Sequence, residues 1–185
     1  IEYGSLNSGS AYTIVQVDGG SASGEGFDEI RDRNIESKYC SAKKDAMSFI
    51  IKVSSDVEVI GFSITNAEDT NANSSRRPGT VKIWGANTND RTQNYTGENN
   101  GGSEATSNWT LVYNGNGATD ATNYKRFEQS FNSVQRYNYY WVYVVGSGKV
   151  QFSEFSLRKR ADNLGGIVGY ADGTSTSDNV VVDSA

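Results

Sequence analysis

The stretch YNYYWVYVVGSGKVQFSEFSLR, residues 137–158, decides the fold class of this chain. Its first part, 137–145, is rich in β-branched and aromatic residues and ends at a Gly-Ser-Gly turn, which is typical of a strand followed by a tight reversal. The segment 150–158 is again strand-like, but its apolar side chains do not keep one alternation. The phase changes between Phe152 and Phe155, which predicts a bulge or an irregular strand near residues 153–154.

Similar strand patterns recur along the chain with the spacing of an antiparallel β-sandwich. They lie at residues 11–17, 46–53, 57–65, 80–86, 108–114 and 125–131. Residues 54–56, Ser-Ser-Asp, are predicted to form a turn between two of these strands. No segment longer than about ten residues has the apolar stripe of an amphipathic helix. The sequence therefore predicts an all-β protein, an antiparallel sandwich of about eight main strands.

Composition narrows the possible functions. The chain has 185 residues, enough for one domain with a buried core. It has no histidine and one cysteine, so it can form neither a Ser-His-Asp triad nor a multi-thiolate zinc site, and we do not expect an enzyme. A formal charge of −5 argues against a nucleic-acid partner, because phosphate binding requires a basic face. No apolar run approaches the roughly 20 residues that span a bilayer, so no membrane insertion is expected.

The connections between the predicted strands are long and polar. Residues 66–79, 87–107 and 114–124 are predicted to be loops, and 87–107 is predicted to be a mobile insertion. After Arg160 the composition shifts to Gly, Asp and Ser, which places a boundary near Ala161. We therefore expect a β-sandwich over residues 1–160 and a linker or partial repeat over residues 161–185. Because the chain begins with Ile1 and not Met, we expect it to be a segment of a longer protein.

The order of these segments resembles a discoidin-type (F5/8 type C-like) domain, the galactose-binding-like jelly roll of family 32 carbohydrate-binding modules. The resemblance covers roughly residues 10–158 and rests on several pieces in register, namely GEGFDEIRDRNIESKYC (24–40), VIGFSITNAEDTNANSSRRPGTVKIWGANTND (59–90), WTLVYNG (109–115) and the stretch quoted first. It implies a jelly-roll β-sandwich that binds carbohydrate and holds a structural Ca²⁺. The tail GGIVGYADGTSTSDNVVV (165–182) resembles the GLUG repeat of bacterial surface and adhesin proteins.

The turn DRNIES, residues 32–37, is a candidate cation site. Calcium takes about six to eight oxygen ligands, and Asp32, Asn34 and Ser37 are spaced so that their oxygens can point at one centre. The resemblance implies that these positions hold a structural Ca²⁺ together with Glu154 of the last strand. Where the family usually has Gly this chain has Arg33, whose carbonyl could be a ligand and whose guanidinium could repel the ion or replace it by pairing with Glu154. The alternative is a solvated turn capped by Asp32.

The resemblance also implies a sugar site at the loop end near this turn, although the family's usual galactose readers include a His, which this chain lacks. Tyr39 occupies an aromatic position of the family. Loop 66–79 supplies polar groups able to contact sugar hydroxyls, namely Glu68, Asp69, Asn71, Arg76 and Arg77. The alternatives are that Tyr39 is a core residue and that Arg76 and Asp69 form a surface ion pair. Four further residues are predicted to belong to the core: Cys40, Trp84, Trp109 and Trp141.

Together these observations favour a non-catalytic, lectin-like carbohydrate-binding module of a larger bacterial secreted or cell-surface protein. Its expected partners are a glycan, of galactose type or another host or plant polysaccharide, and the other modules of the parent chain. The main alternative is an adhesion or spacer module that binds protein or no ligand, which the missing His and the GLUG-like tail favour. A hydrolase would need two facing carboxylates in a cleft, and no pair in the sequence requires this.

Overall fold

The fold is described on a computed structural model, which covers residues 4–5, 12–133 and 135–159. The predicted boundary near Ala161 and the GLUG-like tail lie outside these residues. The described residues contain no α-helix, and nothing in them is helical over a length, or with an apolarity, that would suit a membrane span. Short 3-10 helices lie at Phe27–Arg31 and Ser74–Arg76. The all-β prediction is confirmed.

The strands follow the predicted segments closely. They are β1 (Gly4–Ser5), β2 (Tyr12–Asp18), β3 (Tyr39–Cys40), β4 (Ala46–Val57), β5 (Val59–Thr65), β6 (Thr80–Ala86), β7 (Thr110–Asn116), β8 (Arg126–Ser130), β9 (Tyr137–Val145), β10 (Gln151–Phe152) and β11 (Glu154–Lys159). The predicted turn at residues 54–56 is wrong, because these residues lie within β4. The pairing of β4 with β9 jumps there from Lys52 opposite Tyr139 to Val57 opposite Tyr137, so the extra residues are absorbed as an irregularity of the strand.

Two sheets pack face to face to form the sandwich. One has five strands in the order β2-β4-β9-β6-β7, the other has four in the order β1-β11-β5-β8, and all neighbouring strands are antiparallel. Alternating side chains of both sheets meet in one apolar core. At its centre Phe155 of β11 stacks on Phe62 of β5 at 5.7 Å and meets Phe49 of β4 edge-on at 5.3 Å.

The strand irregularity predicted near residues 153–154 is confirmed, and it is a change of sheet. Before Ser153, β10 pairs with β3 in a separate two-stranded sheet; after it, β11 pairs with β5. The backbone N–H of Ser153 donates to the Thr65 carbonyl at 2.9 Å, and its hydroxyl donates to the Asn66 carbonyl at 3.2 Å. These bonds fix the point at which the chain crosses, and therefore fix the position of Glu154 next to it.

Residues 87–107 are not a mobile insertion; they cover the outer face of the five-stranded sheet. That face carries a second apolar cluster built on Ile50, Trp84, Ala86, Trp109 and Trp141. The Trp141 indole donates to the Ser103 carbonyl at 2.9 Å, and the Gly102 N–H donates to the Ala46 carbonyl at 2.9 Å. The predicted burial of the tryptophans is confirmed, with at most 7% of each exposed. The expectation of mobility was wrong because these indoles need a cover, and a Gly-rich polar loop can supply one through its backbone.

Gly102→Ala tests this packing. A Cβ at Gly102 would overlap the backbone carbonyl carbon of Met47 and lie 2.5 Å from the Ser48 nitrogen. We expect the free energy of unfolding to fall by about 1–3 kcal/mol, as for other overpacked sites, and the tryptophan emission to shift to the red. Gly26→Ala is the matched control, because its φ is −88° and its Cβ would meet nothing closer than 4.0 Å. Equal urea midpoints for the two variants would contradict the packing.

Candidate functional site

The turn at residues 32–37 is closed by its own side chains. It follows the 3-10 helix Phe27–Arg31 directly. The Asp32 carboxylate accepts from the Asn34 N–H at 2.8 Å through Oδ1 and from the Ser37 hydroxyl at 2.6 Å through Oδ2. The Ser37 hydroxyl also lies 2.9 Å from the Asn34 carbonyl oxygen. Carboxylate, hydroxyl and carbonyl oxygens of this turn are therefore gathered within hydrogen-bond distance of one another.

Arg33 has the backbone conformation for which the resemblance implies Gly. Its φ is +65°, in the left-handed region, where a side chain costs roughly 1–2 kcal/mol relative to an ordinary conformation. The hydrogen bonds of Asp32 across the turn hold Arg33 in this conformation. The departure from Gly thus adds strain to the turn.

Glu154 of β11 faces this turn. Burial first, and then the neighbouring Asp32 carboxylate, raise the pKa of Glu154 to about 7, against the lowering effect of the Arg33 and Asn34 N–H groups. Its Oε1 atom is buried and has no hydrogen-bond partner. Burial also acts to raise the pKa of Asp32, but hydrogen bonds from Ser37 and Asn34 outweigh it, and that pKa is lowered. The first loop and the last strand therefore bring two carboxylates together, one of them with an unsatisfied oxygen.

This arrangement suits a hard cation that takes oxygen ligands. The available groups are the carboxylates of Asp32 and Glu154, the Ser37 hydroxyl and the carbonyls of the turn, which is the ligand chemistry of Ca²⁺. Residues 4–5, 12–133 and 135–159 contain no group of three or more Asp, Glu, Cys or His side chains that could hold a metal by themselves. A cation here would therefore need backbone oxygens or water to complete its coordination.

A small depression of about 240 Å³ opens beside the turn. Its lining includes Arg33, Ile35, Tyr124, Arg126 and Glu154, and the side chains of Ile35 and Tyr124 are 49% and 41% exposed. The sequence analysis missed Tyr124, because it follows a polar loop and has no strand periodicity around it. An aromatic ring and guanidinium groups beside a candidate cation site can contact a small polar ligand.

The loop 66–79 is anchored by a lysine that the sequence analysis missed. Lys38 is buried, and its ammonium lies 2.8 Å from Asp69, 3.6 Å from Glu25 and 4.0 Å from Glu68. Burial acts to lower the pKa of Lys38, but the three carboxylates outweigh it and the pKa is raised. Asp69 also accepts from the Gln151 amide at 3.0 Å. The only signal in the sequence was a lysine placed between the candidate turn and a strand, and nothing local indicates that it points inward.

Tyr39 is not available as a sugar platform, which corrects one of the expected ligand contacts. It is 0% exposed, donates its hydroxyl to the Gly20 carbonyl at 3.2 Å and packs between Phe27 and Phe152. The alternative that Tyr39 is a core residue is the one that the structure supports. Cys40 beside it is buried as predicted.

The remaining predicted contacts lie around the rim, by which we mean loop 66–79 with Lys38 and residues 146–149. Asn71 is exposed, and its N–H donates to the Asn123 side chain at 2.7 Å. Arg76 and Arg77 are half-buried, and the Arg77 Nε is buried without a hydrogen-bond partner. The Ser147 N–H donates to the Ser75 carbonyl at 2.7 Å, which ties the two loops together.

Charged side chains of the rim, together with Glu25, affect the pKa of Cys40. Burial first, and then Glu25, raise the pKa of the Cys40 thiol, while Arg76 and Lys149 act to lower it. Arg76, Lys149 and Glu25 therefore all act on Cys40, although they come from separate parts of the chain. The partner that the structure gives Asp69 is the buried Lys38, which replaces the alternative of a surface ion pair between Asp69 and Arg76.

The architecture is shared with known binding modules. No protein-family model matches the sequence, and no curated protein is similar to it in sequence. Among solved structures, the third family 32 module of a family 31 glycoside hydrolase from Clostridium perfringens has a TM-score of 0.61 at 14% identity, over 84% of this chain and 95% of that one. The fold is that of a family 32 carbohydrate-binding module.

Other family 32 modules of the same organism share this fold. The NanJ module, solved in complex with galactose, has a TM-score of 0.55 at 13% identity, over 80% of this chain and 94% of that one. The paired modules of ZmpB, solved with GalNAc, give 0.59 at 14% identity, over 82% of this chain and 35% of that one. At these identities the likeness establishes the architecture, and the predicted discoidin-like jelly roll is confirmed at that level.

The Glu154 carboxylate should make stability depend on pH. The fold raises its pKa from 4.5 to about 7, so between these values the folded state holds a proton that the unfolded state has lost. The free energy of unfolding should therefore fall as the pH rises through this window, by up to about 1 kcal/mol per pH unit. Urea denaturation in a chelating buffer at a series of pH values measures this slope.

Glu154→Gln is the comparison for this slope, because it keeps the shape of the side chain and removes the titration. Asp32, with its pKa lowered from 3.8, titrates below the window. Asp18, whose pKa burial raises, leaves the same residual slope in both proteins. The same pH dependence in wild type and Glu154→Gln would show that Glu154 is solvated and does not face Asp32.

Proposed function

We propose that this chain is a non-catalytic carbohydrate-binding module that recognises a glycan at the rim. The observation that carries the proposal is the pairing of the Lys38 ammonium with Glu25 and with Glu68 and Asp69 of loop 66–79, which brings charged groups of both signs together at the rim. Sugar hydroxyls both donate and accept hydrogen bonds, so such a mixture of groups suits them. The fold of the family 32 modules supports the same conclusion.

The rim residues have different parts in this proposal. Asp69 has its oxygens occupied by Lys38, Gln151 and Asn73, so we assign it to positioning the loop. Glu68 and Asn71 are exposed, and Arg76 is half-buried; these are the groups we assign to the ligand, with Arg77 beside them. The fork of Arg76 can donate to adjacent hydroxyls, and Glu68 can accept from them.

The sugar we propose is of galactose type. The NanJ module was solved with galactose and the ZmpB modules with GalNAc. This chain has no histidine, so recognition must use Arg, Asn and carboxylate groups instead. We also propose that it is part of a larger bacterial protein, secreted or exposed at the cell surface, in which other modules raise a weak affinity through multivalency.

We further propose that the turn at residues 32–37 binds a structural Ca²⁺. Asp32 and Glu154 would supply carboxylate oxygens, Ser37 its hydroxyl, and Arg33 and Asn34 their carbonyls. The unsatisfied Oε1 of Glu154 and its closeness to Asp32 support the proposal. The ion would neutralise both carboxylates and hold the first loop against β11.

Calcium should stabilise the protein through this turn. A ligand that binds only the folded state adds about 2.7 kcal/mol when present at about 100 times its dissociation constant. We expect thermal denaturation in millimolar Ca²⁺ to show a higher midpoint than in EDTA for the wild type, and no difference for Glu154→Gln. In EDTA, Glu154→Gln should have a higher midpoint than the wild type, because it lacks the repulsion between the carboxylates of Glu154 and Asp32. In Ca²⁺ the wild type should have the higher midpoint. Identical midpoints of the wild type in Ca²⁺ and EDTA would remove the ion from the proposal.

Calorimetric titration with galactose and GalNAc, with Ca²⁺ present, tests sugar binding. Arg76→Ala should weaken binding at least about tenfold, because a hydrogen bond from a charged donor contributes about 1.5–3 kcal/mol. Arg126→Ala, in the depression beside the turn, should leave the affinity unchanged. Loss of binding in Arg126→Ala alone would move the ligand to that depression. No binding of either sugar by the wild type would favour the adhesion or spacer alternative.

A further inference from the structure

Loop 87–107 builds a second depression, whose lining residues are not among the rim residues discussed above. It has a volume of about 540 Å³ and is lined in part by Asp18, Lys44, Arg91, Tyr95 and Asn100. Pockets for ligands larger than a single small ring have volumes of about 300–1,000 Å³. Its size therefore suits an extended ligand better than the 240 Å³ depression beside the turn does.

The backbone of the loop is fixed where it forms this depression. Tyr95 pairs with the end of β2: its carbonyl accepts from the Gly19 N–H at 2.9 Å, and its N–H donates to the Val17 carbonyl at 3.2 Å. The Asn94 side chain accepts from the Val17 N–H at 3.0 Å. Gly20 allows the closest approach, because a Cβ there would lie 2.5 Å from both Glu98 Cα and the Gly97 carbonyl oxygen. The wall is thus preformed.

Arg91 is held rigidly inside this wall. Its Nη1 lies 2.8 Å from Oδ2 of Asp18 and 2.7 Å from the Ser103 hydroxyl. Its guanidinium lies over two aromatic rings, 4.7 Å from the centre of Trp141 and 5.2 Å from the centre of Tyr95. Only 17% of the Arg91 side chain is exposed. The stacking orients Tyr95, whose ring is still 47% exposed.

Asp18 has one oxygen that the protein does not satisfy. Its Oδ2 takes the Arg91, Ser48 and Ser103 contacts, whereas its buried Oδ1 has no partner in good hydrogen-bond geometry. The Tyr95 N–H, which bonds to the Val17 carbonyl, also lies close enough to the carboxylate to lower its pKa. The residue is 3% exposed and lines the depression. Asp18 therefore brings to the wall of the depression a carboxylate with spare acceptor capacity.

The charges around Asp18 do not favour an ionic ligand there. A cation would compete with Arg91, which already neutralises Asp18 at 2.8 Å, and an anion would meet the unsatisfied Oδ1. A neutral ligand with hydroxyl donors avoids both problems. An exposed tyrosine ring, a carboxylate acceptor and the amide of Asn100 are the groups that contact the apolar face and the hydroxyls of a sugar.

We propose that this depression binds a neutral saccharide of more than one ring, which packs on Tyr95 and hydrogen-bonds through its hydroxyls to the polar residues of the wall, Asp18 and Asn100. The site does not depend on the rim, and it uses residues of loop 87–107 that none of the predicted contacts included. A chain with both sites would contact a glycan at two places, or two glycans at once.

Amide chemical shifts of the ¹⁵N-labelled full chain test the proposal. The probes are lactose, cellobiose and maltose, titrated with Ca²⁺ present. We expect at least one of them to shift the amides of Tyr95 and residues 99–103. Tyr95→Ala should weaken this binding about tenfold, whereas Leu111→Ala, which removes an equally exposed apolar side chain on β7, should not change it.

The two proposed sites fail separately in this experiment. Shifts confined to Asn71, Arg76 and residues 146–149 would support the rim and overturn the second site. Shifts at residues 95–103 that survive Arg76→Ala and are lost in Tyr95→Ala would support the second site whatever the rim does. If none of the probes moves residues 95–103, or if Tyr95→Ala binds as tightly as Leu111→Ala, the depression is not a saccharide site.

Discussion

The crossing of the chain at Ser153 is the constraint on which the rest of the structure depends. Its N–H and hydroxyl bind the carbonyls at the end of β5, so the last strand must leave β3 and join β5 at this one residue. The two-residue periodicity restarts there, which is why Phe152 and Phe155 both point into the core. The same restart presents Glu154 to the turn at residues 32–37. Sheet topology and the candidate cation site are therefore consequences of one local switch.

A second constraint is the burial of Lys38. An ammonium taken out of water must be paired, and here the carboxylates of Glu25, Glu68 and Asp69 surround it. These contacts join the segment before β3 to the loop after β5, so the two segments are held together and do not move independently. Rim side chains that do not pair with Lys38, Arg76 among them, can then contact a ligand from a backbone that is already ordered. This lowers the entropic cost of binding.

Much of the fold could be predicted from the sequence because strand alternation is a local property. The segments 137–145 and 80–86 became β9 and β6 with the predicted bounds, and even the irregularity at residues 153–154 left a visible change of phase. The failures share a physical origin. Nothing within a few residues tells whether Tyr39 faces a ligand or Phe27, or whether Lys38 points outward. Likewise, the Gly-rich polar composition of 87–107 suggested mobility, whereas Trp141, whose indole bonds to the loop, lies in a strand distant in the sequence.

The contact of loop 87–107 with β2 also affects whether the edge of this sheet can pair with another molecule. β2 is the outermost strand of its sheet, and an uncovered outermost strand offers its free N–H and carbonyl groups to any chain that can pair with it. Near its end, Val17 and Gly19 instead bond to residues 94–95 of the same chain. An inserted segment thereby occupies the place that a foreign strand would take, and self-association along that border is discouraged by the protein's own backbone.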